Sequence, residues 1–403
     1  MAAVEYLVHS LVIWFQKLAA ILMPFPWPRV FEGQGSAQAL CQQVISEKRQ
    51  RVLFVTSPSP VRTGLVQPLI DTLQAAGITV TLFDRIKPDP TVEQIEEVVT
   101  LLQQARCDAV LVLGGGSCID AAKVIAARAK NPRKSILQMA GLFKVTWGML
   151  PLYAIPTTAG TGSEVSIGAV VTDTASQRKL PVMDLRLLPR AAALDGALMA
   201  GVPRDMTAAT GMDALTHAVE AFISRNAFSR TDAMALEAVR IIMADLETVV
   251  ADGGDIEARH RMARASFLAG KAFTQVGVGY VHAIAHNFGA MYHLPHGRAN
   301  AIIMPYVLEY SLPDCAARLA LLARATGIAA NSDGDESAAR AFIARIRAMN
   351  VQFGIPAQVS ELQAADIPRI ARNARDEARF TYAVPRYMTQ AQCEAVVRQM
   401  LVA

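Results

Sequence analysis

The segment Ala109-Val-Leu-Val-Leu-Gly-Gly-Gly-Ser117 decides the fold class. Its first five residues are apolar and predict a buried strand, the glycines predict a turn, and Ser117 is of the type that caps the start of a helix. Glycines let a phosphate approach the backbone, and the N–H groups that begin a helix favour negative charge. The segment therefore predicts a strand, a turn and a helix (to about residue 129) suited to phosphate binding, with a plain tight turn as the alternative.

Similar strand and helix patterns alternate on both sides of this segment. The other predicted strands are 51–56, 79–83, 149–155 and 191–194, and the other predicted helices are 64–76 and 91–105. This alternation predicts a Rossmann-like parallel sheet with crossover helices. After Pro203 the pattern becomes helical to the end, so we expect an α/β domain at 29–204 and an all-helical, metal-binding domain at 205–403, with ligands bound between them.

Composition excludes several classes of protein. The chain has 403 residues, of which 52% are apolar, and its 39 Lys and Arg against 35 Asp and Glu give a net charge of +4. Disordered, collagen-like and disulfide-rich chains do not have this composition. Because the basic residues form no block, we expect no nucleic-acid partner. The five cysteines are scattered without a C-x-x-C pair, which predicts reduced thiols in a cytoplasmic protein.

Residues 1–28 form an apolar extension. The unbroken apolar runs, 11–15 and 18–23, are too short for a membrane span, and a signal peptide would need a basic start. A helix here would be amphipathic, and Pro24 would end it. One face would carry Glu5, His9 and Gln16, and another would carry Leu7, Leu11, Trp14, Leu18 and Leu22. We expect this helix to pack on its own chain or another subunit, with a membrane surface as the weaker alternative.

A second glycine-rich loop follows the next predicted strand. Its sequence is Pro156-Thr-Thr-Ala-Gly-Thr-Gly-Ser-Glu164, which offers hydroxyl groups and a flexible backbone. Parallel strands present such loops at one edge of the sheet, where α/β proteins bind ligands. Two loops of this kind favour a dinucleotide.

The histidines have an informative spacing. Asp213 and His217 are four residues apart in a helical stretch, as are His282 and His286, so each pair lies on one helix face. His296 follows soon after. A carboxylate with imidazoles from separate helices predicts a site for Fe(II), Zn(II) or Mn(II). The alternative for any single histidine is an ordinary core or surface residue.

Four motifs together resemble the iron-containing (group III) alcohol dehydrogenases over residues 29–401. They are Gly114-Gly-Gly-Ser117 with Asp120, the loop 156–164, Gly211-Met-Asp-Ala-Leu-Thr-His217, and Gly279-Tyr-Val-His-Ala-Ile-Ala-His286 with Pro295-His-Gly297. The resemblance implies the family's metal-dependent, NAD(P)-linked chemistry on small alcohols and aldehydes. It also implies a homodimer or larger homo-oligomer.

The resemblance also implies roles for individual residues. The metal ligands are Asp213, His217, His282 and His296, and His286 is a proton relay near the nicotinamide and substrate. The cofactor contacts are Gly115, Gly116, Ser117, Asp120, Thr157, Thr158, Ser166 and Lys179. Ser166 stands where the family commonly has threonine, and His293 matches no ligand.

One position departs from the family pattern. NAD-preferring members often carry an aspartate at the end of the first strand of the α/β domain, where this chain has Ser57. Without that carboxylate a ribose 2′-phosphate is not repelled, and Arg62 is close enough in sequence to pair with it. Ser57 is thus a further candidate cofactor contact, and both NAD and NADP stay open.

Three alternatives remain. Glycerol dehydrogenase-like or maleylacetate reductase-like chemistry would use the same fold and a nicotinamide. Dehydroquinate synthase-like chemistry would want several Lys and Arg residues near the histidines, and the sequence shows few there. A non-catalytic, assembly or membrane-tethered role conflicts with the intact ligand and nucleotide motifs.

Overall fold

The computed structural model describes residues 3–176 and 178–402, without the side chains of residues 3–11, 19 and 380. The β-strands in these ranges are β1 (Arg29–Glu32), β2 (Arg51–Thr56), β3 (Thr79–Phe83), β4 (Ala109–Gly114), β5 (Gly141–Leu142), β6 (Leu152–Pro156), β7 (Gly168–Asp173), β8 (Arg178–Met183) and β9 (Ala191–Leu194). The α-helices are α1 (Ala3–Leu22), α2 (Ser36–Ser46), α3 (Pro58–Arg62), α4 (Gln67–Ala75), α5 (Val92–Gln104), α6 (Gly116–Lys130), α7 (Ile136–Met139), α8 (Arg204–Ile223), α9 (Ser229–Ala251), α10 (Ile256–Val276), α11 (Tyr280–Tyr292), α12 (His296–Ala325), α13 (Asp335–Gln352), α14 (Ile367–Thr381) and α15 (Gln390–Arg398).

These elements form two compact units. The α/β unit comprises 25–202 and 253–267, and the helical unit comprises 1–24, 203–252 and 268–403. The domain limits predicted from the sequence, after residues 28 and 204, stay predictions.

A six-stranded parallel sheet with the order β1-β9-β6-β4-β2-β3 is the frame of the α/β unit. Successive residues of β2 and β4 face opposite sides of the sheet, as the period of two requires. Leu53 and Val110 join the core cluster that contains residues of α5 and α6, whereas Phe54 and Leu111 join the cluster that contains residues of α2 and α4. The apolar strands are therefore buried on both faces, which confirms the predicted fold class.

The sheet brings the two glycine-rich loops to the same edge. Gly114 at the end of β4 is in register with Pro156 at the end of β6, and the N–H of Thr157 donates to the carbonyl of Gly114 at 3.1 Å. The predicted meeting of the two loops at the carboxyl ends of parallel strands is confirmed.

Two predicted elements begin later than expected. The helix predicted from residue 64 begins at Gln67, because Gly64 has a left-handed φ of 75° that a helix cannot contain. The strand predicted from residue 149 begins at Leu152, since the N–H of Leu150 donates to Ala126 instead of a neighbouring strand. The sequence pattern also missed β1 and the antiparallel pair β7–β8, which forms a small sheet with β5.

The helical unit is built around α8, which packs against α9 and α12. Nearly all of α8 from Gly211 onward is buried, so this helix lacks the polar outer face of an amphipathic surface helix. The neighbouring helix α11 packs against both α12 and α14. A buried α8 places the acidic and imidazole side chains of its sequence inside protein, where they need partners.

The N-terminal helix α1 forms as predicted but packs through a different face. Ile13 and Ala20 are buried, and Asn226 in the loop after α8 hydrogen-bonds Gln16 at 3.3 Å. The predicted apolar face is exposed on this chain: Trp14 is 56% and Leu22 70% accessible. On its own chain the helix packs through Ile13, Gln16 and Ala20, and docking of the exposed apolar face on another subunit stays a prediction. Glu5, His9, Leu7 and Leu11 lie outside the described side chains. Within the described residues, every helix is too short or too polar to cross a membrane.

Candidate metal centre and nucleotide loops

Three helices bring the four predicted metal ligands together in the helical unit. Asp213 and His217 lie one turn apart on α8, His282 lies in the first turn of α11, and His296 is the first residue of α12. Their candidate ligand atoms all lie within 4.8 Å of one another. Three of the four residues are buried, and the His296 side chain is partly accessible. The group thus offers one carboxylate and three imidazoles around one point.

The spacing of these atoms fits a bound divalent ion. Asp213 Oδ1 lies 3.9 Å from His282 Nε2 and 3.6 Å from His296 Nε2. Ligand bonds of about 2.1 Å in a tetrahedral arrangement put neighbouring ligand atoms about 3.4 Å apart. The observed separations therefore need only small movements to close on a metal.

Asn300 connects the candidate ligands. It lies on α12 one turn after His296, is fully buried, and donates from Nδ2 to Asp213 Oδ1 at 2.7 Å. The same nitrogen lies 3.2 Å from Nε2 of both His282 and His296. Asn300 therefore holds the carboxylate toward the two imidazoles.

Glu220 lies behind His282. It is on α8 two turns after Asp213, and its Oε2 lies 2.6 Å from His282 Nδ1, while Oε1 accepts from the N–H of Val281 at 2.8 Å. Gly279 makes room for this carboxylate, since a Cβ there would lie 2.7 Å from Oε1. With Nδ1 committed to a carboxylate, Nε2 of His282 is directed at the metal position, as is common at metal sites.

Burial controls the charge state of this pair. It raises the pKa of Glu220 to about 8, opposed by N–H donors of Gly279, Val281 and His282. Burial also lowers the pKa of His282 well below its ordinary value, helped by the neighbouring imidazoles of His217 and His296. His282 is therefore the neutral imidazole that a metal requires, and a bound cation favours the ionised carboxylate behind it.

Aromatic contacts fix a second ligand. The ring of His217 stacks on Phe273 at a centroid distance of 4.4 Å and on His282 at 4.5 Å. Stacking on both sides restricts rotation of the His217 ring, so its donor atom stays in the cluster.

His286 lies beside this group rather than in it. It follows His282 by one turn of α11, and its ring is parallel to that of His296 at 5.5 Å. Its Nδ1 lies 2.7 Å from Oε1 of Glu377, and its side chain is 43% accessible. His293 ends α11 with a left-handed φ of 55° and is also outside the group. The structure thus separates four candidate ligands from one neighbouring, solvent-accessible imidazole.

The two glycine loops of the α/β unit contact each other. Gly115 is the residue before α6, and a Cβ on it would meet Oγ1 of Thr158 at 3.4 Å. A Cβ on Gly116 would collide with Thr161 at 2.7 Å. Ser117 lies in the first turn of α6, so the start of that helix and the threonines of the second loop form one surface. These are the predicted phosphate-binding residues, and binding itself stays a prediction.

Asp120 and Ser166 have structural partners. The Asp120 carboxylate accepts from the hydroxyl of Ser163 and from the N–H of Val170 at 2.9 Å. Ser166 Oγ lies 3.0 Å from Nζ of Lys123, which also donates to the carbonyls of Ser166 and Gly168 at 2.7 and 2.8 Å. Their predicted cofactor contacts stay predictions. Asp120 holds the second loop against α6 through Ser163, and Ser166 connects the segment that follows this loop to Lys123 of α6.

Lys123 and Glu164 are the buried charges of this region. Lys123 is fully buried and Glu164 is 2% accessible. Burial lowers the pKa of Lys123, opposed by Asp120 and Glu164, and burial raises the pKa of Glu164, opposed by Lys123. The ammonium of Lys123 therefore favours the ionised form of both carboxylates, and each carboxylate favours the charged form of Lys123.

Two further predicted cofactor residues, Ser57 and Lys179, belong to the α/β unit. Ser57 is the residue before α3, directly after β2. Lys179 is on β8 and forms an ion pair with Asp89. The side chain of Ser57 hydrogen-bonds that of Cys118 in the first turn of α6. Burial raises the pKa of Asp120 on α6, and Lys179 is among the groups that oppose this shift. Both residues therefore lie near the start of α6, and their cofactor roles stay predictions.

Sequence reasoning missed Lys123, Glu220, Asn300 and Glu377. Two of them had a usable signal: Glu220 follows Asp213 and His217 at the next turn of one helix face, and Asn300 follows His296 by four residues. Lys123 and Glu377 have partners that are distant in sequence, and nothing in the local pattern indicates them.

Comparisons with known proteins identify the family. The model described as "Iron-containing alcohol dehydrogenase" matches residues 28–196, and "Fe-containing alcohol dehydrogenase family, C-terminal" matches 207–401. The chain is 36% identical over 348 residues to lactaldehyde reductase of Escherichia coli K12 (86% of this chain, 91% of the relative). It is 36% identical over 371 residues to NAD-dependent methanol dehydrogenase of Bacillus methanolicus (92% and 97%). A crystal structure of 1,3-propanediol oxidoreductase matches with a TM-score of 0.90 and 35% identity, covering 94% of this chain and 99% of that one. The chain belongs to the iron-containing alcohol dehydrogenase family.

Proposed function

We propose that this chain is a metal-dependent alcohol dehydrogenase and aldehyde reductase that transfers hydride between NAD or NADP and a primary or small alcohol. The observation that carries the proposal is the convergence of Asp213, His217, His282 and His296 within 4.8 Å. The relatives named above are a lactaldehyde reductase and a methanol dehydrogenase, which supports this substrate class.

The donor set fits a divalent ion, and we propose iron(II) first, with zinc and manganese as alternatives. One carboxylate and three neutral imidazoles suit all three ions. A bound ion supplies Lewis acidity toward the alcohol or carbonyl oxygen without changing its own oxidation state. Asp213 offsets one unit of its positive charge, while Glu220 and Asn300 hold the ligands in place.

Other residues of the chain carry out the remaining tasks. The loops around Gly115 and Thr158 bind the pyrophosphate of the dinucleotide through backbone N–H groups and hydroxyls. His286 is accessible and next to the ligands, so it exchanges the substrate hydroxyl proton with solvent. Ser57 in place of an acidic residue permits NADP as well as NAD. We also propose a homodimer or larger homo-oligomer.

Activity measured with different metals and with each cofactor tests the proposal. The protein is stripped with a chelator, reloaded separately with iron(II) under anaerobic conditions, zinc or manganese, and assayed for NADH and NADPH oxidation with short aldehydes. We expect activity that returns with metal and disappears in Asp213→Asn, whereas His293→Asn, a histidine outside the group, keeps both metal and activity. Full activity in fully stripped protein would refute the metal dependence.

A further inference from the structure

Glu377 on α14 contacts the imidazole of His286. Its Oε1 lies 2.7 Å from His286 Nδ1, and the hydroxyl of Tyr382, just after α14, donates to the same oxygen at 2.6 Å. A carboxylate can only accept hydrogen bonds, so Nδ1 carries the hydrogen of the neutral ring. Nε2 is then the atom with a lone pair.

The position of Nε2 distinguishes His286 from His282. Both histidines have Nδ1 against a carboxylate, Glu377 and Glu220 respectively. In the part of the chain that the structure describes, Nε2 of His286 has no hydrogen-bond partner, whereas Nε2 of His282 belongs to the metal cluster. The His286 ring lies parallel to His296 with an interplanar angle of 11°. Its free nitrogen is therefore available to a molecule bound beside the metal ligands.

Tyr382 in turn holds Glu377. Burial raises the pKa of Tyr382 well above its ordinary value, and the adjacent Glu377 charge acts in the same direction, so the phenol remains a donor. The Tyr382 side chain is itself fixed at its base, because its carbonyl accepts from the hydroxyl of Tyr387 at 2.9 Å. A carboxylate held in this way has little freedom to leave the imidazole.

We propose that Glu377 is a positioning residue that fixes the ring orientation and tautomer of His286, so that Nε2 faces the substrate hydroxyl. The inference rests on the proposed function for the identity of that substrate. When the alcohol O–H bond breaks, its electron pair stays on the oxygen and its proton bonds to Nε2. The Nδ1–H of the resulting imidazolium stays hydrogen-bonded to Glu377. Glu377 itself touches neither the substrate nor the metal ligands.

Kinetics of three variants test the inference. In Glu377→Ala we expect kcat to fall about 10- to 100-fold, the range found when a hydrogen-bond partner of a metal-site histidine is removed. KM should stay within about two-fold and the metal content should not change. Glu377→Gln keeps an acceptor oxygen for Nδ1–H, so it should recover most of the lost rate. Asp376→Asn, a substitution of the exposed neighbouring residue on α14, is the matched control. An unchanged kcat in Glu377→Ala, or a Gln variant as slow as Ala, would overturn the inference.

A second readout does not depend on turnover. Histidine-selective ¹⁵N NMR of zinc-loaded protein, assigned with His286→Gln, reports which ring nitrogen of His286 carries the hydrogen. We expect hydrogen on Nδ1 in the wild type and Asp376→Asn, and a shift toward hydrogen on Nε2 in Glu377→Ala. If the wild type reduces none of the aldehydes but shows this shift, the proposed function fails and the positioning role stands. The same tautomer in the wild type and Glu377→Ala would refute the positioning role.

Discussion

Glu220→Gln should weaken metal binding without unfolding the metal-free protein. The amide keeps an oxygen near the backbone N–H of Val281, but it removes the negative charge 2.6 Å from His282 Nδ1. Partners of metal-ligating histidines are worth about 10- to 100-fold in metal affinity, which is about 1.4–2.7 kcal/mol. With the amide oxygen at Val281, the amide NH2 group faces His282 Nδ1, so His282 loses the acceptor that directs its Nε2 at the metal position.

The same substitution should not destabilise the metal-free protein. Burial raises the pKa of Glu220 from 4.5 to about 8. The unfolded chain therefore releases this proton at lower pH than the folded one, and between these two values the carboxyl group increasingly opposes folding as pH rises. A neutral amide has no such penalty, so the metal-free variant should be at least as stable as the wild type near neutral pH.

Thermal unfolding with and without metal separates the two effects. Metal stabilises the folded state in proportion to the logarithm of its concentration over Kd, so the affinity loss reduces the stabilisation by the same 1.4–2.7 kcal/mol, or about 3–11 °C in Tm. We would measure Tm at a fixed zinc excess, and retained metal after dialysis, with Glu237→Gln on α9 as the control. An unchanged metal-induced Tm increase and unchanged retention in Glu220→Gln would refute the reasoning.

Three further predictions concern other groups. His282→Ala should lose metal and activity together, whereas His286→Ala should keep metal and lose rate; a full metal complement in His282→Ala by elemental analysis would contradict the ligand assignment. Lys123→Met removes the donor to Ser166 and Gly168 and leaves buried carboxylates without their cation. We expect the free energy of unfolding to fall by about 3–5 kcal/mol and the Tm in calorimetry by about 6–20 °C. A Tm change below about 2 °C would contradict this prediction. Burial would raise the pKa of Glu47, but hydrogen bonds from Arg190, Gln43, Tyr153 and Arg49 lower it from 4.5 to about 2. Its stabilisation is therefore present above the unfolded-state value of 4.5 and disappears as pH falls through 2, so Glu47→Gln should cost up to about 3 kcal/mol at neutral pH and nothing near the lower value, measured by denaturant unfolding across pH.

The parallel sheet could be predicted because its central strands, β2, β4, β6 and β9, are buried on both faces. The limits of β2 and β9 agree with the sequence pattern, since continuous apolar runs bounded by polar residues leave little choice of start and end. The limits of β3 agree as well, although Thr79 and Thr81 alternate with its apolar residues. The hairpin β7–β8 lacks that signal: β8 has charged residues at its start, and Val170 of β7 is exposed. Pairing between two weakly apolar segments is a property of the assembled unit, so no local pattern indicates it.

The buried Lys123 shows a second limit of sequence reasoning. Lysine is rarely buried, and in an apolar helix a single lysine usually reaches solvent. Here its acceptors are Ser166 and Gly168, which lie 43 and 45 residues further along the chain. Only the folded α/β unit brings those carbonyls to α6, so the energetic reason for burying this charge does not exist in the local sequence.

For α1 the difficulty was a choice between two apolar faces. Ile13 and Ala20 could pack as well as Trp14 and Leu22, and hydrophobicity alone favours the larger residues. On this chain the structure buries the smaller pair, and Gln16 accepts a hydrogen bond from Asn226. The contact with Asn226, which is 210 residues away in sequence, depends on the folded helical unit, so the local pattern of α1 could not indicate it.

Helix α11 shows why spacing identifies candidate histidines but not their tasks. His282 and His286 have the same residue type, the same helix and the same carboxylate arrangement at Nδ1. Their environments differ: the His282 side chain is 3% accessible and the His286 side chain 43%. A buried imidazole cannot exchange protons with water and is held neutral, which suits a metal ligand. An accessible one can accept a proton from a bound alcohol and return it to solvent, which suits a relay. The carboxylates that orient the two rings lie on different helices, α8 and α14, so the difference in task depends on tertiary contacts that the four-residue spacing cannot show.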